Sequence, residues 1–396
     1  MSGEYSIAAH WPRGFDEAGL RDWAAGLRAR FPAPSVSLGL VFLSPDFFPH
    51  AREVLEILRV HARIPLLAGC SSGGLIVGDA ELENTGGLVL ALYSLPGANL
   101  TAVRLSPEAV EASADGGNFW PAETGVAPAD VNGWLAFLDT FHLDAEGWLR
   151  SWNRDYPALP VYGGLASGRF PEPLAQVYLD GEVFEDGGVA IAVGGGVALA
   201  GVISQGCTPI GEAWPLTRVE ANLIRHIGNR PAYAVLSETV QNLSAEEQRK
   251  AQGNLCIGLV VNEYLEDFHR GDFLVRNLIG GDPQSGAIAV GARPRLGQTV
   301  QFQRRDAAAA DEDMNELLAR AKDRLAGTVV YGGCLFCCNG RGQGLFGRAG
   351  HDTALVRKHF DLPALSGFFC NGEIGPVGEK NFLHGFTAAL ALFVKK

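Results

Sequence analysis

Four short segments carry the polar side chains best suited to chemistry. Gly69-Cys-Ser-Ser-Gly-Gly74 sets a thiol and two hydroxyls among glycines. Cys337-Cys-Asn-Gly-Arg-Gly342 and Phe369-Cys-Asn-Gly-Glu-Ile-Gly375 add amides, a guanidinium and a carboxylate, and Leu383-His-Gly-Phe-Thr387 adds an imidazole. Each follows an apolar run, and the ends of strands in open α/β sheets are where ligands bind. The glycines allow a ligand to approach the backbone closely. From the first segment the candidate binding residues are Cys70, Ser71, Ser72 and Gly73. From the C-terminal segments they are Cys338, Asn339, Arg341, Cys370, Asn371, Glu373 and His384, and a plainer segment, Gly164-Leu-Ala-Ser-Gly168, contributes Ser167.

Several chemistries are open to this set. Arg341 offers a planar fork to a carboxylate, while Glu373 and Asn371 can receive an ammonium or hydroxyl, which together suits an amino-acid-like zwitterion. Alternatively, Arg341 and Glu373 form a salt bridge that pins their corners. Cysteine catalysis would need a lowered thiol pKa and a base. Cys70, Cys338 or Cys370 with His384 could supply these, although a cysteine at a strand end ordinarily acts as a small buried hydrophobe. Cys334-x-x-Cys337-Cys338 with Cys370 and His384 holds enough soft ligands for zinc. On a strand, however, Cys337 faces away from Cys334 and Cys338, and no second CxxC is present. No metal and no cofactor are therefore expected. The segment at Gly69–Gly74 lacks the lysine of a phosphate loop and the spacing of a dinucleotide fingerprint.

The elements that position these residues repeat along the chain. Pro65-Leu-Leu-Ala-Gly69-Cys-Ser-Ser-Gly73, Pro160-Val-Tyr-Gly-Gly164-Leu-Ala-Ser-Gly168 and Pro363-Ala-Leu-Ser-Gly367-Phe-Phe-Cys-Asn-Gly372 share one pattern. The first two keep proline and two glycines at four-residue steps. Before each lies an apolar strand (36–43, 134–138, 328–338) and then a helical pattern (47–61, 145–156, 352–360) that stops before the proline. After each come a variable loop and another strand (87–93, 188–193, 385–394). The unit is strand, crossover helix, strand and glycine corner, with a parallel, right-handed connection. The fold class is mixed α/β: two mixed-sheet halves built from such units, with helices on the outer faces.

Between the second and third copies the periodicity predicts a helix over 216–227, a strand over 232–236, a helix over 245–252, and a meander of strands at 273–279, 286–290 and 298–303. A surface helix follows over 311–325. The segment 187–204, centred on Gly194-Gly195-Gly196, is predicted to be a hairpin rather than a membrane span. Gly228 and Pro231 place the domain boundary, giving a lead-in over 1–34 and domains at 35–228 and 229–396.

The chain has 396 residues, 47% hydrophobic and 19% charged, with a formal net charge of −12. That is enough for one or two full cores without disulfides. No stripe of Lys or Arg is present to engage phosphates, so nucleic acid is excluded as a partner. The start of the chain shows no basic region followed by an apolar run. Seven cysteines, three of them crowded at 334–338, fit a reducing compartment. A cytoplasmic protein without membrane insertion is expected.

The motifs resemble a known family. GCSSGG after an Ile-Pro strand resembles the hallmark of the FIST N-terminal domain. Phe273-Leu-Val-Arg-Asn-Leu-Ile-Gly, CNGRG, GFFCNGEIGP and LHGFT resemble its C-terminal partner, and the match spans about residue 35 to the end. The resemblance implies a sensory or signal-transduction module that binds small ligands such as amino acids, with any output supplied by a signalling partner. It carries over no catalytic residues. Two other readings stand beside it: a cysteine-dependent enzyme acting on a small amide or ester, and a scaffold that recruits a protein.

Overall fold

A parallel strand pair needs a crossover to return the chain to its starting end, and each repeat supplies a helix for this. In the computed structural model, which describes residues 4–168, 173–362 and 364–396, the pairs are Leu38–Leu43 with Leu67–Ser71, Gly133–Leu138 with Val161–Leu165, and Val330–Cys338 with Leu365–Cys370. Their crossover helices are Ala51–His61, Ala145–Asp155 and His351–His359. Pro363, which opens the third copy of the motif, lies outside the described residues. The closing strands Leu88–Tyr93, Gly188–Gly195 and Ala388–Lys395 run antiparallel to the first strand of their own repeat.

Between its second and closing strands, each repeat sends a hairpin into the sheet of another repeat. Gly74–Val77 pairs with Leu365–Cys370 of the third repeat. Val177–Leu179 pairs with Leu67–Ser71 of the first, and Glu373–Val377 with Val161–Leu165 of the second. The three exchanges run in one cyclic sense and lock the repeats together. An edge strand completes each sheet (Ser6–Trp11, Ala98–Leu105 and Val197–Ser204), giving three sheets of six strands.

Strand alternation sorts the side chains. Phe42, Phe137, Phe336 and Phe368 point to one shared core, with the Phe42 and Phe368 rings 5.0 Å apart. Val41 and Leu43 point the other way, under Leu20, Leu27, Leu55 and Leu58 of two helices. Trp134 and Leu138 do the same under Trp148 and Trp152. The result is mixed α/β with helices outside the sheets.

The equal spacing of the glycines hides a one-residue offset. Across the parallel pairs, Gly69 faces Val41, Gly163 faces Ala136, and Gly367 faces Leu335. A Cβ at these positions would lie 1.7, 1.8 and 1.8 Å from the facing carbonyl oxygen, so only glycine fits. The crossing glycine of the second repeat is thus Gly163, not Gly164, and the residues four steps on are Gly73, Ser167 and Asn371.

By contacts the chain forms two compact units: residues 1–203, 315–383 and 388–396, and residues 204–314 with 384–387. All three repeats belong to the first. The main segment of the second unit begins at the end of the edge strand of the third repeat and runs into the helix Ala307–Arg324. Its strands run in the order Cys207–Glu220, Thr299–Arg305, Leu255–Val260, Phe273–Asp282, Ala287–Val290 and Leu223–Ile227. The last also pairs with the first, so the sheet closes on itself.

Three expected elements differ. The helix predicted over 216–227 is the end of one strand and the start of another, joined by a tight turn in which Ala221 has φ +52°. Alanine gives no sign of a left-handed turn. The strand predicted at 232–236 is the start of the helix Ala232–Gln241, with Pro231 preceding its first turn. The strands Gly188–Gly195 and Val197–Ser204 do not form a hairpin; after the turn they enter different sheets.

Candidate functional site

The three corners meet. Ser71 Oγ donates to the Ser167 carbonyl at 2.9 Å, and the Ser167 amide donates to the Ser71 carbonyl at 3.1 Å. Ser167 Oγ lies 2.7 Å from the Phe369 carbonyl oxygen, which Ser72 Oγ also approaches at 2.9 Å. Ser167 Oγ accepts from Gly73 N at 3.1 Å, and the Asn371 amide donates to the Leu165 carbonyl at 3.1 Å. Residues nearly 300 positions apart therefore share one buried network. Cyclic hairpin exchange produces this, because each chain must cross to a neighbouring sheet immediately after its corner.

Beside this junction lies a cleft of about 640 Å³. All three repeats contribute to it: Gly73 and Gly74 from the first, Gly168 from the second, and Asn339, Phe369 and Asn371 from the third. Two loops of the first repeat also line it, Ser44-Pro-Asp46 and Glu83-Asn-Thr-Gly86. Asn339 Nδ2 donates to Asn371 Oδ1 at 2.8 Å, and Asn371 Nδ2 reaches Thr140 Oγ1 and the Ala166 carbonyl, both at 3.3 Å.

Among the residues expected to bind, Gly73, Asn339 and Asn371 line the cleft. Ser71, Ser72 and Ser167 are buried in the junction and hold it closed. Cys70 and Cys370 are fully buried strand residues, and burial pushes both thiols well up. Cys338 is half-buried, and its sulfur accepts from Gly340 N at 3.4 Å. Glu373 is buried where it pairs with Gly164. His384 groups with the second unit.

Arg341 departs most from expectation. Its fork is filled by Asp352, with Nε to Oδ2 and Nη2 to Oδ1 both at 2.7 Å, in a pair that is 1% exposed on each side. Burial alone would raise the Asp352 pKa, but the guanidinium overrides it and holds the carboxyl far below the usual range. The carboxylate the fork engages is thus that of Asp352 rather than a ligand's. The pair braces the corner at Gly340–Gly342 against the crossover helix.

The sequence reading missed Asp46, Glu83 and Asp352. Asp46 had a weak signal, since the first strand of that repeat ends in polar residues. Glu83 and Asp352 had none, because no motif surrounds them. Among the described residues, no group of three or more His, Cys, Asp or Glu is placed to hold a metal ion, and no helix is long and apolar enough to cross a membrane.

The FIST N domain matches residues 37–230 and the FIST C domain residues 232–376. This chain belongs to the FIST family. FIST domains are associated with sensory signal transduction. An uncharacterized protein of Mycobacterium tuberculosis (strain H37Rv) is 35% identical over 371 residues, covering 94% of each chain. An uncharacterized protein of Mycobacterium bovis is 34% identical over 372 residues, again 94% of each. Among solved structures, a cyanuric acid hydrolase aligns over 99% of this FIST chain and 100% of its own, with 8% identity and a TM-score of 0.36.

Proposed function

We propose that this FIST protein is a sensory module that binds a small polar ligand in the cleft beside the corner junction. One observation carries the proposal: corners from three repeats converge, and their polar rims open into a single cleft. A corner that served only to turn the chain could close its hydrogen bonds within its own repeat. Here Ser71, Ser72 and Ser167 bond between repeats, so a ligand against one corner is felt by all three. That coupling suits a protein that reports occupancy. Buried thiols pushed up in pKa argue against the cysteine-enzyme reading at Cys70 and Cys370.

A thermal-shift screen of amino acids, amines, sugars and small carboxylates tests the proposal. At least one should raise the melting temperature, since a ligand at a hundred times its Kd adds about 2.7 kcal/mol. The Asn371→Leu protein should lose that shift while staying folded. A flat response across the panel would overturn the proposal.

A further inference from the structure

Two neighbouring strands of the third repeat both end in cysteine. Cys338 closes Val330–Cys338, Cys370 closes Leu365–Cys370, and the two are register partners across the parallel pair. Adjacent strands lie about 4.8 Å apart, inside the span of about 4.4–6.8 Å that a disulfide needs between its Cα atoms. Alternation puts Cys338 on the face of Cys334 and Phe336, which share the central core with Phe368 and Cys370. Cys337 lies on the opposite face, its sulfur 3.6 Å from Asp352 Oδ2. Partners do meet at this end of the ladder. In the next pair along, Asn339 N donates to the Cys370 carbonyl at 3.0 Å and Asn339 Nδ2 reaches Asn371 Oδ1 at 2.8 Å. Because both cysteines are last in their strands, the approach a bond requires falls on the corners and spares the middle of the ladder.

The two thiols differ in access, which suits them to different steps. Cys338 is half-buried and Cys370 fully buried. Gly340 N donates to the Cys338 sulfur at 3.4 Å, a contact that strengthens when the sulfur is negative. The Cys370 sulfur lies 3.6 Å from the Phe368 carbonyl oxygen and over Gly164, where a Cβ would come within 2.5 Å of it. That glycine gives the buried sulfur its space.

We propose that Cys338 and Cys370 form a redox pair that reduces hydroperoxides and closes to a disulfide. The Cys338 thiolate attacks one peroxide oxygen, the O–O bond breaks, and the other oxygen leaves as hydroxide or alkoxide and takes up a proton. Cys338 is then a sulfenic acid. The Cys370 sulfur attacks the Cys338 sulfur, the S–O bond breaks, and the departing hydroxide takes the Cys370 proton to leave as water. The pair has given two electrons to the peroxide, and a dithiol reductant restores it by exchange. Asn339 and Asn371, the next residues, line the cleft, but the chemistry does not depend on what the cleft binds.

Stoichiometric hydrogen peroxide added to the reduced full chain tests this, followed by alkylation in denaturant and peptide mass spectrometry without reductant. Titratable thiols should fall by two from seven and return with dithiothreitol, and one linked peptide pair should join Cys338 to Cys370. In Cys370→Ala, dimedone should trap a sulfenic acid at Cys338. Cys338→Ser should keep all its remaining thiols at the same dose. Cys70, in the same core but paired with Phe42 on another sheet, should be dispensable, so Cys70→Ala should still close the bond. A link from Cys338 to Cys70, to Cys337 or to a second chain would overturn the proposal. So would an unchanged count of seven thiols, or Cys338 oxidised to sulfinic acid while Cys370 stays a thiol. The map on the unaltered protein decides even where a variant fails to fold. A disulfide formed beside a flat ligand screen leaves this proposal standing and the sensor reading refuted; the reverse pair of results does the opposite.

Discussion

Arg341 and Asp352 meet at two points in the interior, 2.7 Å apart at each, in a pair 1% exposed on both sides. The guanidinium also lies 5.3 Å from the centre of the Phe346 ring, which stacks on His351 at 3.5 Å. Removing one partner leaves the other charged and desolvated. Asp352→Asn should therefore cost about 3–5 kcal/mol. Arg341→Lys should not preserve the pair, because a point charge cannot supply two parallel donors. Urea unfolding followed by circular dichroism measures both, and a loss below about 1 kcal/mol in Asp352→Asn would refute the bracing role.

The same cluster sets a pH dependence with two opposing parts. The depressed pKa of Asp352 contributes stability above the ordinary aspartate value of about 3.9, and that contribution is lost as pH falls through the native value. Glu81 behaves oppositely. Burial, followed by the charge of Asp352, raises its pKa, so its contribution is fullest below the unfolded value of about 4.3 and declines as pH rises through the raised one. Its Oε1 accepts from Thr353 N at 2.9 Å, a bond that glutamine retains. Glu81→Gln should thus gain stability relative to the parent at pH 7 and show little gain at pH 4. Urea melts at the two pH values check this, and an equal effect at both would contradict it.

The architecture was legible where local chemistry repeats, and illegible where a distant partner decides. Proline before the second strand, a helical stretch before it and glycine after it were enough to find all three repeats. The hairpin exchange was not visible, because nothing in Gly74–Val77 says that its edge will meet Leu365–Cys370. The offset between Gly163 and Gly164 was hidden for a related reason: both are glycine, and only strand register shows which one crosses a neighbour. At the site, glycine-rich motifs pointed to Gly73, Asn339 and Asn371. The carboxylates came from loops whose sequences resemble any surface turn. Arg341 was visible as a buried-type residue, but its partner was a helix residue eleven positions on, outside the motif that drew attention to it.

The cysteines make a separate prediction. All seven are free thiols, and only Cys338 is more than marginally exposed. Burial pushes Cys334 up to about 11 and Cys70, Cys337 and Cys370 well above the ordinary value. In the native protein at pH 8, an aromatic disulfide reagent should label one thiol quickly and release all seven in denaturant. Cys338→Ser should remove the fast phase. A fast phase persisting in that variant would mean that a buried cysteine is reactive, and would revive the enzyme reading.

The sharpest test of the repeat register uses glycines. A Cβ at Gly163 would lie 1.8 Å from the Ala136 carbonyl oxygen, and one at Gly69 or Gly367 meets the same obstacle. Backbone in a central parallel pair cannot move aside without breaking the ladder. Gly163→Ala should therefore leave little soluble, folded protein. Gly164→Ala meets the Cys370 sulfur at 2.5 Å, a side-chain contact that Cys370→Ala would relieve, so the double variant should recover stability lost by the single one. No second substitution should rescue Gly163→Ala, because its obstacle is main chain. Gly26, exposed within the helix Glu17–Arg30 with nothing within 4 Å of a new Cβ, supplies the control. Gly26→Ala should stabilise by about 0.5–1 kcal/mol. Soluble yield and thermal melts of the four variants read these outcomes, and a well-folded Gly163→Ala protein would show that the parallel pair Gly133–Leu138 with Val161–Leu165 is registered otherwise.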